Sequence, residues 1–158
     1  MNFLNIFRKF IDSIAVIFMT AMFISFILQI FSRYVLNEPF SWTLEACLIT
    51  WLWTVLWTGG FILKDQDHVK FDIIYVSSSP RLKKLFASIT CIFIIISFIF
   101  SFPATVDYVT FMSIESSSSL KIRLDIIFSF YLFFMFGVIV YYTIRLLKIL
   151  RGVISKNS

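Results

Sequence analysis

The chain has 158 residues, of which 59% are apolar and 21 are Phe, and it carries a formal net charge of +5. A soluble domain of this length has too little interior to hide that much apolar surface, so hydrocarbon must do part of the solvating and no room is left for a soluble catalytic domain. The positive charge is explained by where its Lys and Arg stand along the chain, and it does not point to nucleic acid.

Four stretches contain no charged residue: 13–32, 46–63, 85–106 and 126–144, together half of the chain. At about 1.5 Å per residue, a run of about 20 residues crosses a hydrocarbon core of about 30 Å. Backbone amides in lipid find no water, so each run must close its hydrogen bonds as a helix. The pattern predicts an all-α integral membrane protein, a single domain over 1–158, with transmembrane helices over 11–32, 43–63, 83–106 and 126–146.

The first helix is expected to start near Phe10. Arg8 and Lys9 ahead of an apolar stretch resemble a signal peptide, but the stretch is longer than an h-region and no small-residue cleavage site closes it, so it reads as a retained helix. Asn37-Glu38-Pro39 is a turn signal. Ser41 is placed to cap the second helix, and Trp42 stands at headgroup level. Ser79 and Pro80 form a cap and first-turn pair that opens the third helix. Pro103 falls near the outer end of that helix, and the following segment, 107–125, with Ser116 to Ser119, reads as irregular or interfacial. From Arg145 the chain continues as a basic amphipathic helix suited to an anionic leaflet.

With four crossings, eleven of the fourteen Lys and Arg fall on the side of the two ends and the middle loop, and three fall on the other. The positive-inside rule then makes both termini and the 64–84 loop cytoplasmic. Cys47 and Cys91 lie near opposite membrane faces, on the order of 15 Å apart along the normal, too far for a disulfide.

Thr43, Cys47, Thr50, Thr54 and Thr58 share an arc of about 80° on the second helix, a small-residue stripe suited to helix packing, flanked by Trp53 and Trp57. A substrate path lined by these threonines is the alternative. Gln29, the most polar group of the first run, requires a partner on a neighbouring helix. Glu45, the one acidic residue that could count as intramembrane, is expected to pair with Arg33, with a proton or ion relay as the alternative. Asp65, Asp67, His68 and Asp72 read as a solvated linker more than a metal site. No cofactor is expected, and no nucleophile–base pair or phosphate loop marks an enzyme.

The stretch QIFSRYVLNEPFSW from Gln29 to Trp42, followed by Thr43-Leu44-Glu45, resembles the small, DctQ-like membrane subunit of tripartite ATP-independent periplasmic (TRAP) transporters. Gly60, His68, Val69 and Asp72 stand at matching positions further on, and Gly137 also fits. Leu44 replaces the first of two acidic residues frequent in the family, and Arg123 stands where Pro is common. The resemblance implies a non-catalytic small permease subunit in the bacterial inner membrane, part of a sodium-coupled symport system for a carboxylate-type organic acid. Its implied partners are the large TRAP membrane subunit, a periplasmic substrate-binding protein and membrane lipid, with no nucleic acid. The candidate interface and structural residues are Gln29, Arg33, Tyr34, Asn37, Pro39, Trp42, Glu45, Thr50, Thr54, Thr58, Gly60, His68 and Asp72, with Arg33, Glu38 and Glu45 as a brace at the periplasmic face. The competing readings are a stand-alone proton-coupled small exporter using Glu45, and a membrane enzyme or redox subunit.

Overall fold

The computed structural model describes residues 3–63 and 79–151. Among them, four helices are long and apolar enough to cross a membrane. They are α1 (Phe3–Tyr34), α2 (Ser41–Trp57), α3 (Pro80–Phe111) and α4 (Leu124–Leu150). A π-helical turn, Thr58–Ile62, continues α2, and a 3-10 turn, Met112–Ile114, finishes α3. The all-helical class is as the sequence predicts.

The helix ends depart from expectation in one consistent direction. α1 starts at Phe3, not near Phe10, and α3 runs to Phe111 through Pro103 and Asp107. Each has 32 residues, so each is about 48 Å long, well beyond the hydrocarbon thickness. Uncharged runs mark where lipid ends, whereas the helix continues into the headgroups until capping or turn chemistry stops it. Pro103 is tolerated inside α3 because Pro removes one backbone donor without preventing the flanking turns from closing. The stretch from Arg145 continues as helix, as the sequence predicts, with α4 carrying it unbroken to Leu150.

Local chemistry accounts for the ends themselves. Asn37 adopts a left-handed backbone (φ 55°), which Asn tolerates better than most residues, and the Glu38 N–H bonds back to the Ser32 carbonyl at 3.2 Å. Ser79 caps α3, its hydroxyl accepting the Leu82 N–H at 3.5 Å, with Pro80 in the first turn. Ser41 does not cap α2: Phe40 occupies the cap position, with no side-chain cap bond. The α1 side chain Ser32 takes over the entry, accepting the Phe40 N–H at 3.4 Å.

In space the helices stand in the order α1, α2, α4, α3, with substantial interfaces between successive members. The molecule is therefore two helical hairpins, α1–α2 and α3–α4, joined where α2 meets α4. The two central helices are the more buried, with 11% and 17% of their most apolar stretches enclosed against 6% in each outer helix. The four side chains with the least exposure are Met135, Thr43, Cys91 and Ser32. Three of these are small and polar or thiol-bearing, as expected where close backbone approach, not apolar burial, holds helices together in lipid. Both cysteines are free thiols.

Candidate functional site

The loop end of the α1–α2 hairpin gathers most of the residues singled out in the sequence. The Thr43 hydroxyl is hydrogen-bonded to the Gln29 side-chain amide and to the Phe40 carbonyl, the latter at 2.6 Å. Beside it the Ser32 hydroxyl donates to the Gln29 carbonyl at 3.1 Å. Ser25, Ser32 and Thr43 are all buried, so the two backbones meet over small side chains. Gln29 thus finds its partner on the neighbouring helix. Trp42 is partly exposed, and its ring stacks on Phe40 with centroids 6.5 Å apart. Tyr34 is exposed, and Pro39 follows Glu38 in the extended stretch that leads to Phe40.

Glu45 does something the sequence did not suggest. Its Oε2 accepts the backbone N–H of Leu120 at 2.6 Å and that of Ser119 at 3.0 Å. The expected ion pair with Arg33 does not form. The Arg33 guanidinium lies over the Tyr34 ring instead, 5.8 Å from its centroid. The physical reason is competition: two convergent N–H groups satisfy one carboxylate oxygen in short charge-assisted bonds, without the ordering of two long side chains that an exposed ion pair requires.

The segment that Glu45 holds, read from the sequence as irregular or interfacial, forms no regular element between Ile114 and Leu124 but closes on itself as a tight turn. Ser116 and Arg123 bridge in antiparallel fashion, and the Ser117 N–H bonds to the Ile122 carbonyl at 2.8 Å. The Ser117 hydroxyl accepts the Ile122 N–H at 3.1 Å, and Lys121 takes a left-handed backbone (φ 55°) to close the turn. The tip amides of Ser119 and Leu120 face Glu45, so one carboxylate ties the α3–α4 loop to α2. Arg123 pairs with Asp125 through two bonds of 3.1 and 2.7 Å, two residues apart on the exposed surface.

Deeper in the layer the predicted threonine stripe divides. Thr43 reaches across to α1, but Thr50 and Thr54 donate to carbonyls of their own helix, Ala46 and Thr50, each at 2.7 Å. Their hydroxyls are satisfied locally and line no path. The cross-helix bonds come from the tryptophans beside them. Trp53 Nε1 donates to the Ile127 carbonyl of α4, and Trp57 Nε1 donates to the Ile11 carbonyl of α1, both at 3.0 Å. Trp53 also stacks on Phe130 at 4.5 Å, and Phe18 of α1 packs on both rings at 5.6 Å.

At the far end of α2 the contact is between backbones. A Cβ added to Gly137 of α4 would lie 2.6 Å from the Gly60 carbonyl oxygen, and one on Gly60 would lie 3.2 Å from the Phe134 Cα. Gly137 therefore has no room for a Cβ, and at Gly60 one would press on the α4 backbone. The π turn that begins at Thr58, closed by the Leu63 N–H to the Thr58 carbonyl at 2.9 Å, places Gly60 at this crossing. His68 and Asp72 lie outside the described residues.

Among the described residues no group of three His, Cys, Asp or Glu could hold a metal ion. Among the described residues the arrangement offers helix packing and one loop clasp. Sequence reasoning missed the Glu45 clasp and the two indole bonds. The run of four serines after Glu115 is the only trace of the clasp, since such a turn exposes N–H groups that an acceptor can collect.

Comparison with known proteins agrees with this architecture. Residues 22–152 match the family described as tripartite ATP-independent periplasmic transporters, DctQ component. A relative, the C4-dicarboxylate TRAP transporter small permease protein DctQ of Vibrio cholerae serotype O1 (strain ATCC 39315 / El Tor Inaba N16961), is 31% identical over 83 residues. That alignment covers 50% of this chain and 36% of the relative, so the matched stretch spans about a third of the relative's length. With most of its length matched by the family pattern, and with four helices able to cross a membrane, the chain belongs to the DctQ family of TRAP transporter small membrane components.

Proposed function

We propose that this chain is a non-catalytic small permease subunit of a sodium-coupled TRAP transporter in the bacterial inner membrane. It packs beside the large membrane subunit and enlarges its fixed scaffold for uptake of a carboxylate-type organic acid delivered by a periplasmic binding protein. The observation that carries this reading is the chemistry inside the layer. Thr43, Thr50 and Thr54 on the α2 stripe are each hydrogen-bonded to another helix or to their own. Such helices suit a wall.

The Lys and Arg distribution supports cytoplasmic termini, which puts the Glu45 clasp on the periplasmic side. The name of the Vibrio relative refers to C4-dicarboxylates, which supports the carboxylate assignment. The exporter reading loses its support because Glu45 is occupied by two loop amides. The test is co-purification in mild detergent together with uptake in a deletion strain. The chain should leave the membrane bound to a much larger multi-span protein, and its deletion should abolish uptake of the transported acid. Recovery as a lone monomer with unchanged uptake would sink the reading.

A further inference from the structure

All four tryptophans of the chain stand on α2, at positions 42, 51, 53 and 57. Three of their indole N–H groups have an acceptor within reach. Trp42 stands in the first turn, where headgroups and water supply acceptors. Trp53 and Trp57 lie deeper, and each donates to a carbonyl of a neighbouring helix, Ile127 of α4 and Ile11 of α1. Trp51 breaks the pattern. Among the described residues its N–H has no hydrogen-bond partner, and the residue is 54% exposed.

Its position on the helix explains why. At about 100° per residue, Leu44, Leu48, Trp51 and Val55 share an arc of about 60°, roughly opposite Trp53 and Trp57. On the Trp53 side the helix is covered, because Phe18 of α1 and Phe130 of α4 close over the indole with centroids 5.6 and 4.5 Å away. On the other side all four residues are at least half exposed. One broad side of α2 is thus roofed by its own neighbours, and the other stands open across the middle of the layer.

Lipid cannot complete the open side. The span runs from Ser41 to Ile62, so Trp51 lies about 15 Å from either end. Ester carbonyls and water begin only at the edges of a core about 30 Å thick, further than an indole reaches. An N–H without an acceptor in hydrocarbon is costly, and an indole, unlike a Ser or Thr hydroxyl, cannot turn back to a carbonyl of its own helix. The acceptor has to come from another polypeptide at that depth, and a membrane-spanning helix is what brings one there.

We propose that this open side of α2, with Leu48, Trp51 and Val55 at its centre, is the surface that docks the large membrane subunit, through a transmembrane helix that presents an oxygen acceptor to the Trp51 N–H at mid-membrane depth. Such docking rests on the reading of the chain as a small permease subunit. It adds the face that is used and the group that the partner must offer.

The test uses the membrane complex of the full-length chain, with the photo-crosslinking residue p-benzoylphenylalanine placed at one position at a time. Leu48 and Val55 sample the open side. Phe133, which adjoins Phe130 on the covered side, and Phe100 on α3 are exposed controls. Crosslinking to the large subunit should be at least about fivefold stronger from Leu48 and Val55 than from either control. A complex that crosslinks from Phe133 or Phe100 instead overturns the face and leaves the transporter reading standing. Crosslinks from the open side to a second copy of this chain, or to lipid alone, overturn it equally. Absence of any complex removes the transporter reading and the docking with it. Trp51→Phe then isolates the N–H while keeping a ring. Retention of the large subunit through detergent washes should fall about threefold or more, the size expected of one bond between membrane helices. The thermal midpoint of this chain in detergent should stay unchanged, since no partner within it is lost. Unchanged retention overturns the acceptor, and a lowered midpoint would place the Trp51 N–H within this chain's own fold and overturn the proposal.

Discussion

The two ends of α2 hold their neighbours by opposite means. At its N-terminal end, Thr43 and Glu45 use polar atoms: one bonds the Gln29 amide of α1, the other bonds two loop amides between α3 and α4. Beyond its C-terminal end, Gly60 and Gly137 bring two backbones together with no side chain between them. The first end should be sensitive to loss of a hydrogen-bonding atom, the second to any added side-chain volume. In lipid both strategies replace the hydrophobic drive that water would supply, because apolar side chains gain little by leaving one oil for another.

The comparison breaks most visibly at Gly137. Gly137→Leu cannot be fitted without parting α2 from α4, and even Gly137→Ala should cost about 1–3 kcal/mol, the usual range for overpacking. Thermal unfolding in detergent should fall markedly for Leu and by less for Ala. An unchanged midpoint for Leu would show that the close crossing is wrong.

Next comes the clasp. Glu45→Ala should release the loop, read as at least about tenfold faster hydrogen exchange at the amides of Ser119 and Leu120, while exchange in mid-helix α2 stays unchanged. Protection that persists at both amides would mean another group holds them. Glu45→Gln should give an intermediate rate, because a neutral oxygen can still accept.

The indole bonds give a smaller effect. Trp53→Phe keeps an aromatic ring against Phe130 but removes the N–H to the Ile127 carbonyl, and should cost about 0.5–1.5 kcal/mol. A loss of that size without disruption of the α1–α2 contact would separate the two hairpin interfaces.

Smallest is the Gln29–Thr43 pair, for which a double-mutant cycle of Gln29→Leu and Thr43→Val should give a coupling of about 0.6 kcal/mol, typical of side-chain bonds between membrane helices. A coupling of zero would place their value in packing. Arg33→Glu supplies the baseline. It has no carboxylate partner among the described residues, so stability should move little, and Glu45→Arg added to it should bring no rescue.

How legible all this was depends on what kind of partner each residue has. The four crossings follow from uncharged runs, and the Ser79-Pro80 cap and Asn37 turn follow from residue-intrinsic backbone preference. Gln29 was readable because an amide in lipid must bond, and Thr43 stood on the facing stripe. Glu45, Trp53 and Trp57 were not, because each bonds to backbone, which every residue carries and no residue type advertises. The α1, α2, α4, α3 order was equally silent, since a stripe of small residues marks a contact face without saying which neighbour covers it. Length misled at α1 and α3, where charge marks the end of the lipid and not of the helix. His68 and Asp72 lie beyond the described residues, so the inner part of the motif stands as a sequence expectation.

The single-file arrangement of the helices has a consequence for how such a chain can change over time. In a palisade one helix deep few residues answer only to their own fold, because most side chains also front on something outside it. Selection on its broad faces is thus exercised mainly by the molecules alongside, and compensating substitutions should be sought across chain boundaries before they are sought within this one.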